Sequence, residues 1–227
     1  MKSSMVQAAL FKGISIILSL VYVPVVLNYL GDYKYGVWAS VLSIISWISY
    51  FDLGIGNGLR NRLSEALASD GPKIDAKTLI SSAYAILGAV VAVVAVVCGV
   101  AITLVDWAAL LSAWDVSESL LCVMEISFLG MCFSFVLMLC NNIFYAFQKA
   151  QVVNLMAVFQ QAAMLLSVWL LSLTRTNDLT AVAVLYVCSN VLVYGGFTVF
   201  VFLRNRAIAP SFKCIDGRVA KDLGGLG

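Results

Sequence analysis

The stretch AVVAVVAVVCGVAITLV, residues 89–105, decides the fold class because it is apolar on every side. A strand of a membrane barrel would alternate lipid-facing and inward-facing residues over about ten positions, and this run does not alternate. A helix satisfies its own backbone hydrogen bonds, as the hydrocarbon interior of a bilayer requires. We therefore expect an all-α protein that lies in a membrane.

The rest of the chain shares this composition. Of the 227 residues, 62% are hydrophobic and 11% are charged, which is more apolar surface than a soluble domain buries. About 20 apolar residues span the hydrocarbon layer. Windows of that length occur at about 8–30, 36–58, 79–105, 118–141, 152–174 and 179–203. The sequence thus predicts a polytopic membrane protein with six transmembrane helices in one domain, residues 1–203.

The basic residues predict the orientation of these helices. Only Lys34 and Arg175 fall on one side of the predicted membrane. The other side receives Lys2, Lys12, Arg60, Arg62, Lys73, Lys77, Lys149, Arg204, Arg206, Lys213, Arg218 and Lys221. Because Lys and Arg concentrate in cytoplasmic loops, we expect both termini to be cytoplasmic and the turns near 31–35, 106–117 and 175–178 to face outward. The basic residues are dispersed along loops, which disfavours a nucleic-acid partner.

Several kinds of chemistry are disfavoured by residue type. The chain has no histidine, which removes His-based acid–base catalysis and HExxH zinc sites. Its six cysteines include no CxxC pair, and we interpret them as small apolar residues. No GxxxxGK[ST] phosphate loop is present. The loops are short for a membrane enzyme, so we expect a protein that is not an enzyme and carries no cofactor or metal.

The segment SYFDLGIGNGLRNRLSEALA, residues 49–68, predicts a functional boundary at the membrane surface. Asp52 ends an apolar run, and an intramembrane carboxylate usually faces a bundle interior or a water-filled path. Glycines follow at 54, 56 and 58, where the backbone can bend or be approached closely. Beyond them, an apolar face alternates with a polar face that contains two arginines, which predicts an interfacial helix.

Charged residues within the predicted helices are the candidate pathway residues, because intramembrane charge is seldom kept for packing. Lys12 shares a helical face with Ser15, Ser19 and Tyr22. Since Lys12 and Asp52 lie at similar depths, we expect their side chains to approach each other. Glu125 is expected to be paired or solvated. Small-residue stripes, one through Gly130 and one through Gly88 and Gly99, favour helix packing.

Three motifs together resemble a known family: YLGDYKYGVW at 29–38, ISYFDLGIGNGLRNRLSEALA at 48–68 and TLISSAYAI at 78–86. They are similar to the N-terminal part of bacterial polysaccharide flippases, the O-antigen and exopolysaccharide transporters of the multidrug/oligosaccharidyl-lipid/polysaccharide exporter superfamily. The helix pattern of essentially the whole chain agrees with this resemblance, but the specific motifs are confined to residues 29–86.

The resemblance implies a two-lobe transporter of the multidrug and toxin extrusion type, with six helices in each lobe around a central cavity. Such proteins move undecaprenyl-diphosphate-linked sugar repeats across the inner membrane by alternating access. It implies that this chain is the N-terminal lobe, that 204–227 is a cytoplasmic linker towards a seventh helix, and that a second lobe is a required partner. Membrane lipids are further expected partners.

The same resemblance assigns candidate pathway residues. A cationic cavity would suit a diphosphate substrate, and the positions placed to contribute are Lys12, Arg60 and Arg62, with Asn57 as a polar neighbour. Asp52 is expected either to couple an ion or to hold two helices together. Two alternatives remain open: a multidrug or cation antiporter of the same superfamily, which would use Asp52 or Glu125, and a lobe that does not transport.

Overall fold

The protein is described by a computed structural model that covers residues 2–52, 54–68, 75–116, 118–174, 176–217 and 219, without the side chains of residues 2, 3, 49 and 52. Over these residues it is helical and contains no strand, as the apolar windows predict. The helices are α1 (Lys2–Ile45), α2 (Ile55–Ala68), α3 (Ala76–Thr103), α4 (Trp107–Leu110), α5 (Leu120–Met138), α6 (Cys140–Ala146), α7 (Ala150–Ser172) and α8 (Leu179–Arg204). Short 3₁₀ helices lie at Ser46–Asp52, Arg206–Ile208 and Phe212–Cys214.

Among the described residues, five helical segments are long and apolar enough to cross a membrane. The first runs from Ser4 to Ile48 and is 45 residues long, about twice what one crossing needs. It is not one straight helix, because Gly31 has a φ of 77° and a ψ of 164°. Only glycine adopts such a conformation without steric cost. The chain therefore turns at Gly31, within the predicted turn at 31–35.

The predicted crossing at 36–58 differs from the structure at its second end. The α-helix stops at Ile45, a 3₁₀ helix continues to Asp52, and Gly54 has a φ of 76°. A new helix, α2, then begins at Ile55. Gly54 allows this break, because glycine adopts a positive φ without steric cost. Gly56 and Gly58 lie within α2.

Helix α2 is amphipathic, as predicted, and its apolar face is buried against other helices. Leu59 and Leu63 are fully buried, and Gly56 and Gly58 are buried beside them. This face packs against α3 and α6. The apolar face of this predicted interfacial helix therefore packs against protein, and its location at the membrane surface stays a prediction.

Most of the later helices begin after a residue whose side-chain oxygen caps the helix N-terminus. Asp178 accepts hydrogen bonds from the backbone N–H groups of Thr180 and Ala181 at the start of α8, at 2.8 and 3.3 Å. Asp75 caps α3 and Asp106 caps α4 in the same way. These caps satisfy amide groups that the helix cannot satisfy itself, and they fix where each helix enters its bundle.

Helices α5 and α8 approach each other closely at Gly130. A Cβ atom added at Gly130 would clash with the side chain of Val187, so only glycine allows the two helices to approach this far. In contrast, a Cβ added at Gly88 or Gly99 on α3 would meet nothing within 4 Å. The small-residue stripe on α5 is a packing surface as predicted, whereas Gly88 and Gly99 on α3 make no such close contact among the described residues.

Candidate functional site

Of the two predicted pathway arginines on α2, Arg60 is exposed and Arg62 is half-buried. Arg60 lies on the exposed face of α2, and its Cζ atom sits 5.1 Å from the centroid of the Tyr145 ring. Within the described residues, no carboxylate pairs with it. The aromatic ring holds the guanidinium by a cation–π interaction while leaving its N–H groups available to an anion.

Asn57 and Arg62 lie on the same helix but in different surroundings. Asn57 is exposed three residues before Arg60, so the two side chains share one face of α2. Arg62 is half-buried, and one of its nitrogens lies 4.0 Å from the carboxylate of Glu65. The structure thus groups Asn57 with Arg60 and turns Arg62 towards an acidic partner.

Lys12 is exposed on the first half of α1. It precedes Gly31 by 19 residues, which is about 28 Å along a helix and close to the thickness of the hydrocarbon layer. Along α1, Lys12 and Gly31 are therefore separated by about the thickness of that layer. The hydroxyl of Ser15 donates to the carbonyl of Lys12 at 2.9 Å, so the polar stripe on α1 is partly satisfied by its own backbone.

The expected approach of Lys12 and Asp52 stays a prediction, because the side chain of Asp52 lies outside the described part of the structure. Glu125 is half-buried on α5. Among the described residues, it makes no hydrogen bond or ion pair. The expectation that Glu125 is paired or solvated stays a prediction.

The structure also contains a polar cluster that sequence analysis missed. The Nζ atom of Lys34 lies 2.6 Å from Oε1 of Glu118, and it also donates to the carbonyl of Asn177 at 2.8 Å. The same Oε1 accepts the backbone N–H of Leu179, at the start of α8, at 3.1 Å. Lys34 was counted only in the charge distribution, although it belongs to the YLGDYKYGVW motif.

Two tyrosines extend this cluster. Tyr33 donates its hydroxyl to the carbonyl of Ser112 at 2.8 Å, and the hydroxyl of Tyr29 lies 3.0 Å from that of Thr176. The cluster therefore joins three segments that are far apart in sequence, around residues 29–34, 112–118 and 176–179. These are the turns that the alternation of six crossings predicts at one end of the bundle; we call them the turn end.

The opposite end carries α2, α6 and the residues after α8. Ser81 accepts the backbone N–H of Ser211 at 2.9 Å, and Ser82 accepts that of Asp216 at 3.0 Å, both near the start of α3. Arg60, Lys149 and Arg204 belong to this end, whereas Lys34 belongs to the turn end. No group of three or more potential metal ligands occurs among the described residues.

A bundle of membrane-length helices with exposed cations at one end defines a multi-pass helical membrane protein. Its fold is similar to that of a MOP superfamily transporter from Pyrococcus furiosus, with a TM-score of 0.60 and 13% identity. That match covers 98% of this chain and 50% of the transporter, so the chain spans about half its length. The structural report on that protein describes a binding pocket of reverse polarity, which suggests a different function for it.

Sequence comparison identifies the family. The model of the family described as polysaccharide biosynthesis protein matches residues 4–223, and the chain therefore belongs to that family. Comparison with curated proteins found no match. The resemblance noted in the motifs at 29–86 is confirmed.

Proposed function

We propose that this chain is the N-terminal lobe of a flippase that moves undecaprenyl-diphosphate-linked polysaccharide repeats across the bacterial inner membrane by alternating access. Both termini lie on the cytoplasmic side, and the turn end faces outward. The protein acts as a transporter and not as an enzyme. A second lobe completes the central cavity, in keeping with the half-length match to a MOP transporter.

The observation that carries this proposal is the exposure of the Arg60 guanidinium. A guanidinium that is exposed and has no acidic partner in the described residues is suited to a diphosphate, which it can bind through two parallel hydrogen bonds. Asn57 adds a neighbouring polar group on the same face. Lys12 lies at the matching edge of the hydrocarbon layer and supplies a further positive charge.

The first experiment determines the length of the native gene product. Sequencing through the codon for Gly227 and measuring the mass of the endogenous protein should reveal about six to eight further helices, as the two-lobe architecture requires. The complete gene should then restore polysaccharide export to a flippase-null strain. An endogenous protein that has no second lobe and restores nothing would contradict the proposal.

Variants of Arg60 test the site itself. In the complete protein, Arg60→Ala should reduce export at least tenfold, since a charge-assisted contact to phosphate is lost. Arg60→Lys should retain part of the activity, because it keeps the charge and loses only the bidentate geometry. Arg206→Ala is the matched control, because Arg206 is exposed in the turn after α8. Equal export by Arg60→Ala and Arg206→Ala, at the same protein level, would remove Arg60 from the pathway.

Glu125 favours the alternative of a cation antiporter. Among the described residues, it is a half-buried carboxylate without a partner on a membrane-spanning helix, and such a group is suited to binding an organic cation or a coupling proton. If this alternative holds, the complete gene should confer drug resistance that Glu125→Gln abolishes. If the complete gene confers no resistance on a drug-sensitive strain, the antiporter alternative is excluded.

A further inference from the structure

An apolar groove runs along the surface between α7 and α8. It has a volume of about 660 Å³. Its lining residues are all of apolar type and include Phe159, Ala163 and Leu166 from α7, and Leu192, Gly196 and Phe200 from α8. Phe159 begins this wall nine residues into a 23-residue helix, about 14 Å from its start, so the groove lies at the depth of the lipid acyl chains.

A second, cationic pocket continues the groove towards the end of the bundle that carries α2 and α6. It has a volume of about 290 Å³ and shares Phe200 with the groove. Its charged lining residues are Lys149 and Arg204, and it contains no acidic lining residue. Arg204 follows Phe200 by four residues, or about 6 Å along α8. The apolar groove and the cationic pocket therefore adjoin at Phe200.

The cations of this pocket are available to a ligand. Lys149 and Arg204 are exposed, and within the described residues neither forms an ion pair. The ammonium of Lys149 lies 6.0 Å from the centre of the Phe147 ring, close to the wall of the pocket. Helix α7 begins at this point without a side-chain cap, so its N-terminus adds a positive end of the helix dipole to the two side chains.

We propose that this surface is a binding site for an anionic phospholipid, such as phosphatidylglycerol. One acyl chain occupies the groove between α7 and α8, and the phosphate lies between Lys149 and Arg204. Charge complementarity selects the headgroup, because a phosphate without a compensating amine meets two cations and the end of a helix. Because the groove and the cationic pocket adjoin at Phe200, they favour a ligand that carries an acyl chain and a phosphate in one molecule. The site is separate from the transported substrate and does not depend on the proposed function.

Competitive lipid binding tests the proposal. The complete protein is purified, and native mass spectrometry measures binding of phosphatidylglycerol and phosphatidylcholine with identical acyl chains. Phosphatidylglycerol should bind more tightly, and glycerol 3-phosphate without acyl chains should not compete. Equal binding of the two lipids would overturn the proposal, as would full competition by glycerol 3-phosphate.

Two variants separate headgroup from chain. Lys149→Gln with Arg204→Gln should weaken phosphatidylglycerol binding about 25-fold, about fivefold for each cation lost, and leave phosphatidylcholine unchanged. The control is Arg206→Gln with Lys213→Gln, which removes two exposed cations that do not line the pocket. Unchanged phosphatidylglycerol affinity in the first double variant would contradict the assignment.

Gly196→Leu should fill the groove and weaken the binding of both phosphatidylglycerol and phosphatidylcholine. A Cβ at Gly196 meets nothing within 4 Å, so the new side chain enters open space without displacing protein atoms. Gly99→Leu, at a similarly open glycine on α3, is the control for introducing a leucine. Unaltered lipid binding in Gly196→Leu would overturn the placement of the acyl chain. Tighter binding of undecaprenyl diphosphate than of phosphatidylglycerol would instead assign the site to the transported lipid and overturn the proposal.

Discussion

Lys34 and Glu118 form an ion pair of 2.6 Å that holds the turn after the first crossing against the start of α5. Their side chains are only 21% and 14% exposed, so water screens the pair weakly. Because Glu118 also accepts the first backbone N–H of α8, a single carboxylate connects three of the turns. This arrangement fastens the turn end of the bundle, opposite to the end that carries Arg60.

Removing one partner of this pair should destabilise the protein. Lys34→Met leaves a carboxylate without its cation in a poorly solvated place, and we expect the free energy of unfolding to fall by about 2 kcal/mol. Glu118→Leu should lower the free energy of unfolding further, because the N–H of Leu179 loses its acceptor as well. Denaturant titration in mixed micelles measures both changes.

The pair of Arg62 and Glu65 provides the control for that experiment. Its side chains are 38% and 73% exposed and lie 4.0 Å apart. Glu65→Gln should change the free energy of unfolding by only about 0.3 kcal/mol. A loss as large as that of Lys34→Met would mean that exposure does not decide the strength of these pairs.

Gly130→Val should destabilise the contact between α5 and α8 by about 1 to 3 kcal/mol, because the new side chain overlaps Val187. Gly88→Val is the matched control, since a Cβ there enters open space. Shortening the opposing side chain in the double variant Gly130→Val with Val187→Ala should recover part of the loss, because the two Cγ atoms of Val187 that the new side chain overlaps are removed. The thermal midpoint in detergent ranks the variants, and equal midpoints for the two valine variants would rule out the close contact.

The side-chain cap of α8 should contribute measurably to the stability of the protein. Asp178→Ala removes the acceptor for two backbone N–H groups, at Thr180 and Ala181, and should cost about 1 kcal/mol. Asp178→Asn should retain most of this stability, because the amide oxygen still accepts. Denaturant titration compares the two, and an equal loss from Asn and Ala would assign the effect to charge and not to capping.

The orientation can be read by labelling single cysteines in a variant that lacks the six native ones. Trp114→Cys, at a side chain that is 70% exposed, should react with an impermeant maleimide from outside the cell. Phe212→Cys, at one that is 94% exposed, should react only after the membrane is opened. The positive-inside rule requires this order, and the reverse pattern would contradict it.

Several features follow from local sequence and were predictable without a structure. The all-α fold class follows from apolar runs such as 89–105, because a chain of that composition in lipid must satisfy its backbone hydrogen bonds within helices. The turn at Gly31 and the amphipathic character of α2 follow in the same way from a residue type and a periodicity. The family also follows from short motifs, and the match over residues 4–223 agrees with them.

The tertiary structure decided which polar groups meet. Lys34 and Glu118 are 84 residues apart, and no periodicity predicts a contact over that distance. Similarly, the stripes through Gly130 and Gly88 look alike in sequence, but only the first faces another helix closely. Local physics determines which face of a helix is apolar or small. What that face touches depends on how all the helices are arranged, and only the folded chain supplies this information.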